Sequence, residues 1–198
     1  MCDPLKSKTV LEIARTMYDK SFEHGLQHVE RVYKWALKIV VSEKLRVDPL
    51  LLELAVYLHD VGRAVGEPHA YYSATIAREL LREAGCSNEE VEEVVESIMA
   101  HSFSYANKRR DNLSDLAKLL SDADKLDALG VVGFIRVFLY GERRGRELKE
   151  TINHFYEKIL RLHELMFYET SKRLADKYTE RVRWLLDLLL EELDRRSL

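Results

Sequence analysis

Three prolines and eight glycines are all that interrupt the 198 residues, and between them the apolar side chains recur at spacings of three and four. That is the period of an α-helix, so the chain is predicted to be all-α, with no sheet. A first helix is expected from about Leu5 to Lys20, with Val10, Ile13, Ala14 and Met17 inward. A second, from about Leu26 to Leu45, turns Val29, Val32, Trp35, Ala36 and Ile39 inward and carries His28 in its first turn. Asp48-Pro49 is an N-cap and first-turn pair opening a short helix from Leu50 to His59, apolar enough to be buried almost all round and stopped by Gly62.

Glu67-Pro68-His69 starts a helix that closes at Gly85, and Ser87 with Glu90 forms a capping box for the next, which runs to about His101. Residues 102–112 are polar, and their cluster Lys108-Arg109-Arg110 reads as a solvated loop. A helix from about Leu113 to Leu129 follows. The Gly130 to Tyr140 segment is apolar enough to be core, and Glu147 to Arg196 is helical with a break near Leu162. Its stretch Trp184 to Leu190 is apolar over more than one stripe, a surface for the body of the protein or for a second subunit as a homodimer. The length suits one domain spanning 1–198, with a core at about 24–130 and C-terminal helices at about 147–196.

A net charge of −3 leaves no electrostatic footprint for a nucleic acid polymer. No apolar run reaches the roughly 18 to 20 residues of a membrane span, and Met1-Cys2-Asp3-Pro4 does not begin a targeting sequence. Cys2 and Cys86 lie far apart with no metal-finger spacing, so no disulfide is expected, and a reducing, cytoplasmic setting is.

The chemistry sits in a few residues. The run Leu51 to Leu58 delivers an adjacent pair, His59-Asp60, into the interior, and buried ionisable groups need a partner or a metal. A histidine at a helix start (His28) and an aspartate in a later helix (Asp124) complete two imidazoles and two carboxylates. Singly, each also reads as a satisfied core histidine or a helix cap.

Those four residues resemble the motif of the HD superfamily of metal-dependent phosphohydrolases: a His, a His-Asp pair and a distant Asp. Residues 23–32, 100–104, 121–130, 153–155 and 157–160 are further similar to its YedJ/YpgQ-like subgroup, so the resemblance spans most of the chain. It implies a compact HD-domain helical bundle with a long C-terminal helical segment. It also implies hydrolysis of a phosphate ester or pyrophosphate bond by metal-activated water, on a small phosphorylated substrate, with a nucleotide as the expected class. A nucleotide-sensing module without turnover and a cyclic nucleotide phosphodiesterase are the alternatives. The ligand set His28, His59, Asp60 and Asp124 suits one divalent transition metal (Mn, Fe, Co, Ni or Zn) better than Mg. His69 and His101 could hold a second metal or contact substrate phosphates. Arg63 stands where some HD branches carry a lysine, which implies a phosphate contact; the other reading is an exposed side chain past a helix end. Lys125 is a second phosphate candidate, or pairs with a carboxylate. His24 could act as acid or base if its helix begins early enough, or lie in solvent. Asp127, the other catalytic candidate, could orient a ligand, while Asp122 caps or pairs.

Overall fold

The computed structural model describes residues 1–102 and 112–195, with side chains through Leu193; the Lys108-Arg109-Arg110 cluster lies outside them. The described elements are helices, with no strand among them. In chain order they are α1 (Pro4–Thr16), α2 (Leu26–Glu43), α3 (Pro49–Leu58), α4 (His69–Glu83), α5 (Asn88–His101), α6 (Asp115–Asp127), α7 (Gly130–Arg143), α8 (Leu148–Glu157) and α9 (Glu169–Arg195). Two short 3-10 turns, Val61–Ala64 and Ile159–Leu165, fall at the stop after the His-Asp pair and at the expected break near Leu162.

Local chemistry sets the helix starts. Asp48 Oδ1 accepts from the amides of Leu50 and Leu51 ahead of Pro49, and Ser87 and Glu90 make the reciprocal capping box. Helix α3 is buried on nearly every face, through Leu51, Leu52, Leu54, Ala55, Val56, Tyr57 and Leu58. Helix α6 runs through the middle of the bundle, packed on α5 and α2 and touching α3, α7 and α9. The chemistry-bearing ends of α2, α3 and α6 are therefore brought to one place. No helix among the described residues is long and apolar enough to cross a membrane.

Three expectations are corrected. Ile13 is 41% exposed because α1 turns Ser7, Val10, Leu11 and Ala14 inward instead. The Gly130–Tyr140 segment is an amphipathic surface helix and not core: Val131, Ile135 and Leu139 lie on its outer face, while Gly133, Arg136 and Val137 face in. Cys2 and Cys86 form a disulfide, because the start of α1 packs against the end of α4, with the Asp3 amide donating to Ala84 O at 3.0 Å. Separation along the chain hid that proximity, and the cysteine argument for a reducing compartment falls with it.

Asp122 proves to be a cap, though for a distant helix. Its carboxylate accepts from the Phe167 amide at 2.9 Å and the Tyr168 amide at 3.0 Å, just before α9 begins. Burial raises its pKa, against the lowering by those amides. Asp122→Ala is expected to cost roughly 2 kcal/mol, the upper end for a lost cap, since buried amides are left unpaired. Urea denaturation of parent and variant measures this; equal midpoints would contradict the capping role.

Candidate metal centre

Asp60 is the hub. Its Oδ2 lies 3.3 Å from His24 Nδ1 and 3.7 Å from both His28 Nε2 and His59 Nε2, while its Oδ1 lies 3.5 Å from His69 Nε2 and 3.6 Å from His101 Nε2. Asp124 Oδ1 stands 3.4 Å from His28 Nε2. Among the described residues, the donor atoms of His28, His59 and Asp124 all lie within 4.8 Å of one another, and so do those of His59, Asp60 and His101. The structure thus brings the four expected ligands together with His101 and His24 in three overlapping groups, and places His69 Nε2 beside Asp60 Oδ1.

The orientation of the imidazoles has a common cause. Each of four rings has Nδ1 beside an acceptor: His28 with Asp127 Oδ2 at 2.8 Å, His59 with Val56 O at 2.7 Å, His101 with Ile98 O at 2.5 Å and His69 with Glu67 Oε2 at 2.9 Å. With Nδ1–H donating there, the assigned tautomer leaves the Nε2 lone pair aimed at the carboxylates. His28 Nε2, His59 Nε2 and Asp60 Oδ1 are buried without a hydrogen-bond partner. Orphaned lone pairs around two carboxylates fit a divalent cation, because uncompensated buried acceptors are costly.

Burial lowers the pKa of His28, His59 and His69, and Arg136 adds to the effect at His28. Neutral rings are the form that binds metal. Burial alone would raise Asp60 and Asp124. Arg63 and the His59 ring overcome it and hold Asp60 well below the carboxylate range, while His28, His101 and His59 do the same for Asp124.

His24 lies before the N-cap of α2 and so does not share a helix face with His28. It reaches Asp60 from the preceding loop, with burial and Arg63 lowering its pKa to about 4. Arg63 is not a solvent-exposed side chain past a helix end: Nε is 2.5 Å from Asp60 Oδ2 and Nη2 is 3.2 Å from His69 Nε2. Gly62 permits this, since a Cβ there would collide with the backbone of His69 and Ser73. Lys125 lines the cavity while its Nζ donates to Ser121 O at 3.2 Å. Asp127 does not line that cavity. It stands behind His28, where Arg31 Nε and Arg136 Nη1 each donate to it at 2.7 Å. It is therefore placed to orient the His28 ring and not to reach the cavity.

The site opens into a cavity of about 310 Å³ whose lining also includes Tyr140, Arg146, His154 and Lys158. Arg146 Nη1 is buried there without a hydrogen-bond partner. Reading the sequence missed this part of the lining and also missed Arg136, whose only signal was one charge in an apolar run. His154 has its pKa lowered from 6.5 to about 4 by burial, with Lys158 and Arg146 adding to it. Over that interval the unfolded chain binds the proton that the folded chain refuses, so His154 makes stability fall as pH falls from 6.5 toward about 4. His154→Gln is expected to flatten that part of the stability profile, measured by urea denaturation across the interval. An unchanged slope would contradict it.

An all-α bundle that gathers histidines and aspartates able to hold a metal is what the fold and site define. Residues 25–129 match the HD domain family model, and the chain belongs to that family. It is 30% identical over 164 residues to the protein YpgQ of Bacillus subtilis, covering 80% of this chain and 79% of YpgQ. The crystal structure of B. subtilis YpgQ in complex with ADP superposes with a TM-score of 0.75 at 24% identity, covering 97% of both chains. A predicted HD superfamily hydrolase from an uncultured Thermotogales bacterium superposes with a TM-score of 0.64 at 28% identity, covering 94% of this chain and 92% of that one.

Proposed function

We propose that the protein is a metal-dependent phosphohydrolase acting on a small phosphorylated substrate, a nucleotide. The observation that carries this reading is the convergence of imidazole Nε2 atoms on Asp60 and Asp124 in a cavity that Arg63, Arg146 and Lys158 also line. His28, His59, Asp60 and Asp124 would hold one divalent transition metal, and His69 with His101 would complete a second position at Asp60 Oδ1. A cation held there supplies Lewis acidity toward a phosphoryl oxygen and toward water. The ADP held by YpgQ supports the nucleotide class.

The chain's own residues have separable tasks in this reading. Arg63 fixes Asp60 and His69 and turns its remaining N–H groups toward a phosphoryl group. His24, uncharged at neutral pH and beside Asp60, can take or deliver a proton. Arg146 and Lys158 bind the portion of the substrate farther from the reacting bond. The test is a panel of nucleoside mono-, di- and triphosphates with Mn²⁺, Co²⁺, Ni²⁺ and Mg²⁺ in turn, with the products identified. Release of orthophosphate or pyrophosphate supports the reading, and no turnover with any pair overturns it.

Arg63→Ala, assayed with metal at saturation because Arg63 also braces the ligand Asp60, is expected to lose roughly ten- to a hundredfold in kcat/KM, the worth of one charge-assisted contact to a phosphoryl oxygen. Parental kcat/KM in the variant would remove Arg63 from substrate binding.

A further inference from the structure

A second cavity, of about 450 Å³, lies between α2, the start of α7 and α9. Helix α2 gives it one face, Arg31, Lys34, Trp35 and Lys38 at helical spacing, and α9 gives Tyr178 and Arg181. The Trp35 and Tyr178 rings meet edge to face with centroids 5.8 Å apart. Lys38 Nζ stands 5.1 Å over the first ring and Arg181 Cζ 5.0 Å over the second. Among the described residues, no carboxylate lies within ion-pair distance of Lys34, Lys38 or Arg181. Asp127, the single acidic group in the lining, is already engaged by Arg31, Arg136 and His28.

The backbone adds to this positive field. Leu129 caps α7 with no side-chain hydrogen bond, and the first intrahelical bond is that of the Gly133 amide to Leu129 O. The amides of Gly130, Val131 and Val132 and the positive end of the helix dipole thus belong to the same cavity wall. Cations and a helix start select a phosphate, while Leu126, Leu129 and the two aromatic rings offer apolar surface to a flat ring.

We propose that this cavity binds a nucleoside monophosphate as an effector, separately from the His/Asp cavity. Among the described residues, no imidazole and no unengaged carboxylate lines it, and the groups present are ones that recognise an anion and a ring. Arg31 connects the two: the residue lines this cavity while its guanidinium holds Asp127 and Phe22 O, and Asp127 Oδ2 holds His28 Nδ1 at 2.8 Å. An anion that engages Arg31 alters how firmly Asp127 holds His28.

The inference does not rest on the proposed hydrolysis, and its test runs on the metal-free full chain. Trp184→Phe leaves Trp35 as the sole tryptophan, and millimolar AMP is expected to change its fluorescence saturably. Adenosine and inorganic phosphate are each expected to bind far more weakly. Lys38→Glu with Arg181→Glu, both exposed, should weaken AMP binding about a hundredfold, two charge-assisted contacts having been reversed. Lys172→Glu, a charge reversal outside this lining, should bind as the parent does. The His28 ring resonances should shift with the same midpoint as the fluorescence, and should not do so in the charge-reversed protein. No saturable change with AMP, an equal response to phosphate alone, or undiminished binding in the charge-reversed protein would overturn the site. A fluorescence change without a His28 shift would overturn its effector role.

Discussion

Asp60→Ala is expected to empty the metal centre and to stop hydrolysis. Both oxygens of Asp60 are surrounded by imidazoles, three facing Oδ2 and two facing Oδ1, so no other side chain replaces it. The variant also leaves Arg63 without its anion among the five histidines that surround Asp60, which repels a cation instead of attracting one. The loss in metal affinity should exceed the roughly 10- to 100-fold that follows removal of a residue one contact farther out. Elemental analysis should show about one transition metal per parental chain under the one-metal reading and almost none in Asp60→Ala or His59→Ala. Unchanged metal in both variants would refute the ligand assignment. Asp60→Asn preserves the shape and separates lost charge from a hole left in the core.

Asp127→Ala should damage the protein in two measurable ways. Arg136 is 6% exposed and donates to Asp127 and to Glu23 O, each at 2.7 Å; without Asp127 its charge stays buried with no counterion. Breaking such a pair from one side typically costs about 3 to 5 kcal/mol, whereas an exposed pair would cost less than about 1 kcal/mol. Denaturation of the metal-free variant reports this part. The other part is the ring of His28, which loses the acceptor at Nδ1, so metal affinity should fall roughly 10- to 100-fold. Asp127→Asn can still accept from His28 but carries no charge for Arg136. It should therefore recover much of the affinity and little of the stability. Equal recovery of both would show that the two roles are not separate.

The adjacent pair His59-Asp60 was legible because two groups that resist burial followed eight residues of a helix with no polar face. His28 and Asp124 became legible through family resemblance, since neither position is unusual by itself. The helix starts were readable wherever a side chain makes the cap, as at Asp48 and Ser87. Readability failed where a partner is remote. The Asp122 cap reaches Phe167, the Arg136–Asp127 pair joins two helices, and Cys86 meets Cys2 across 84 residues. His69 and His101 were left between metal and substrate because what commits their Nε2 atoms is the acceptor at Nδ1, a carboxylate in one case and a backbone carbonyl in the other. The cationic part of the lining was missed because Arg146, His154 and Lys158 are spaced like ordinary surface residues and converge only when α7 and α8 dock.

That convergence divides the cavity by provenance. The groups proposed to hold the metal all precede residue 128, within the stretch that matches the family model, whereas Tyr140, Arg146, His154 and Lys158 follow it. Under the proposed function, reactivity and selectivity are encoded largely in separate, consecutive lengths of chain. Grafting residues 144–165 from a related bundle could retune which phosphorylated molecule is accepted while sparing the reacting end. The graft's limit is also visible: Arg136 must stay, because its hold on Asp127 ties the length that selects to the length that reacts.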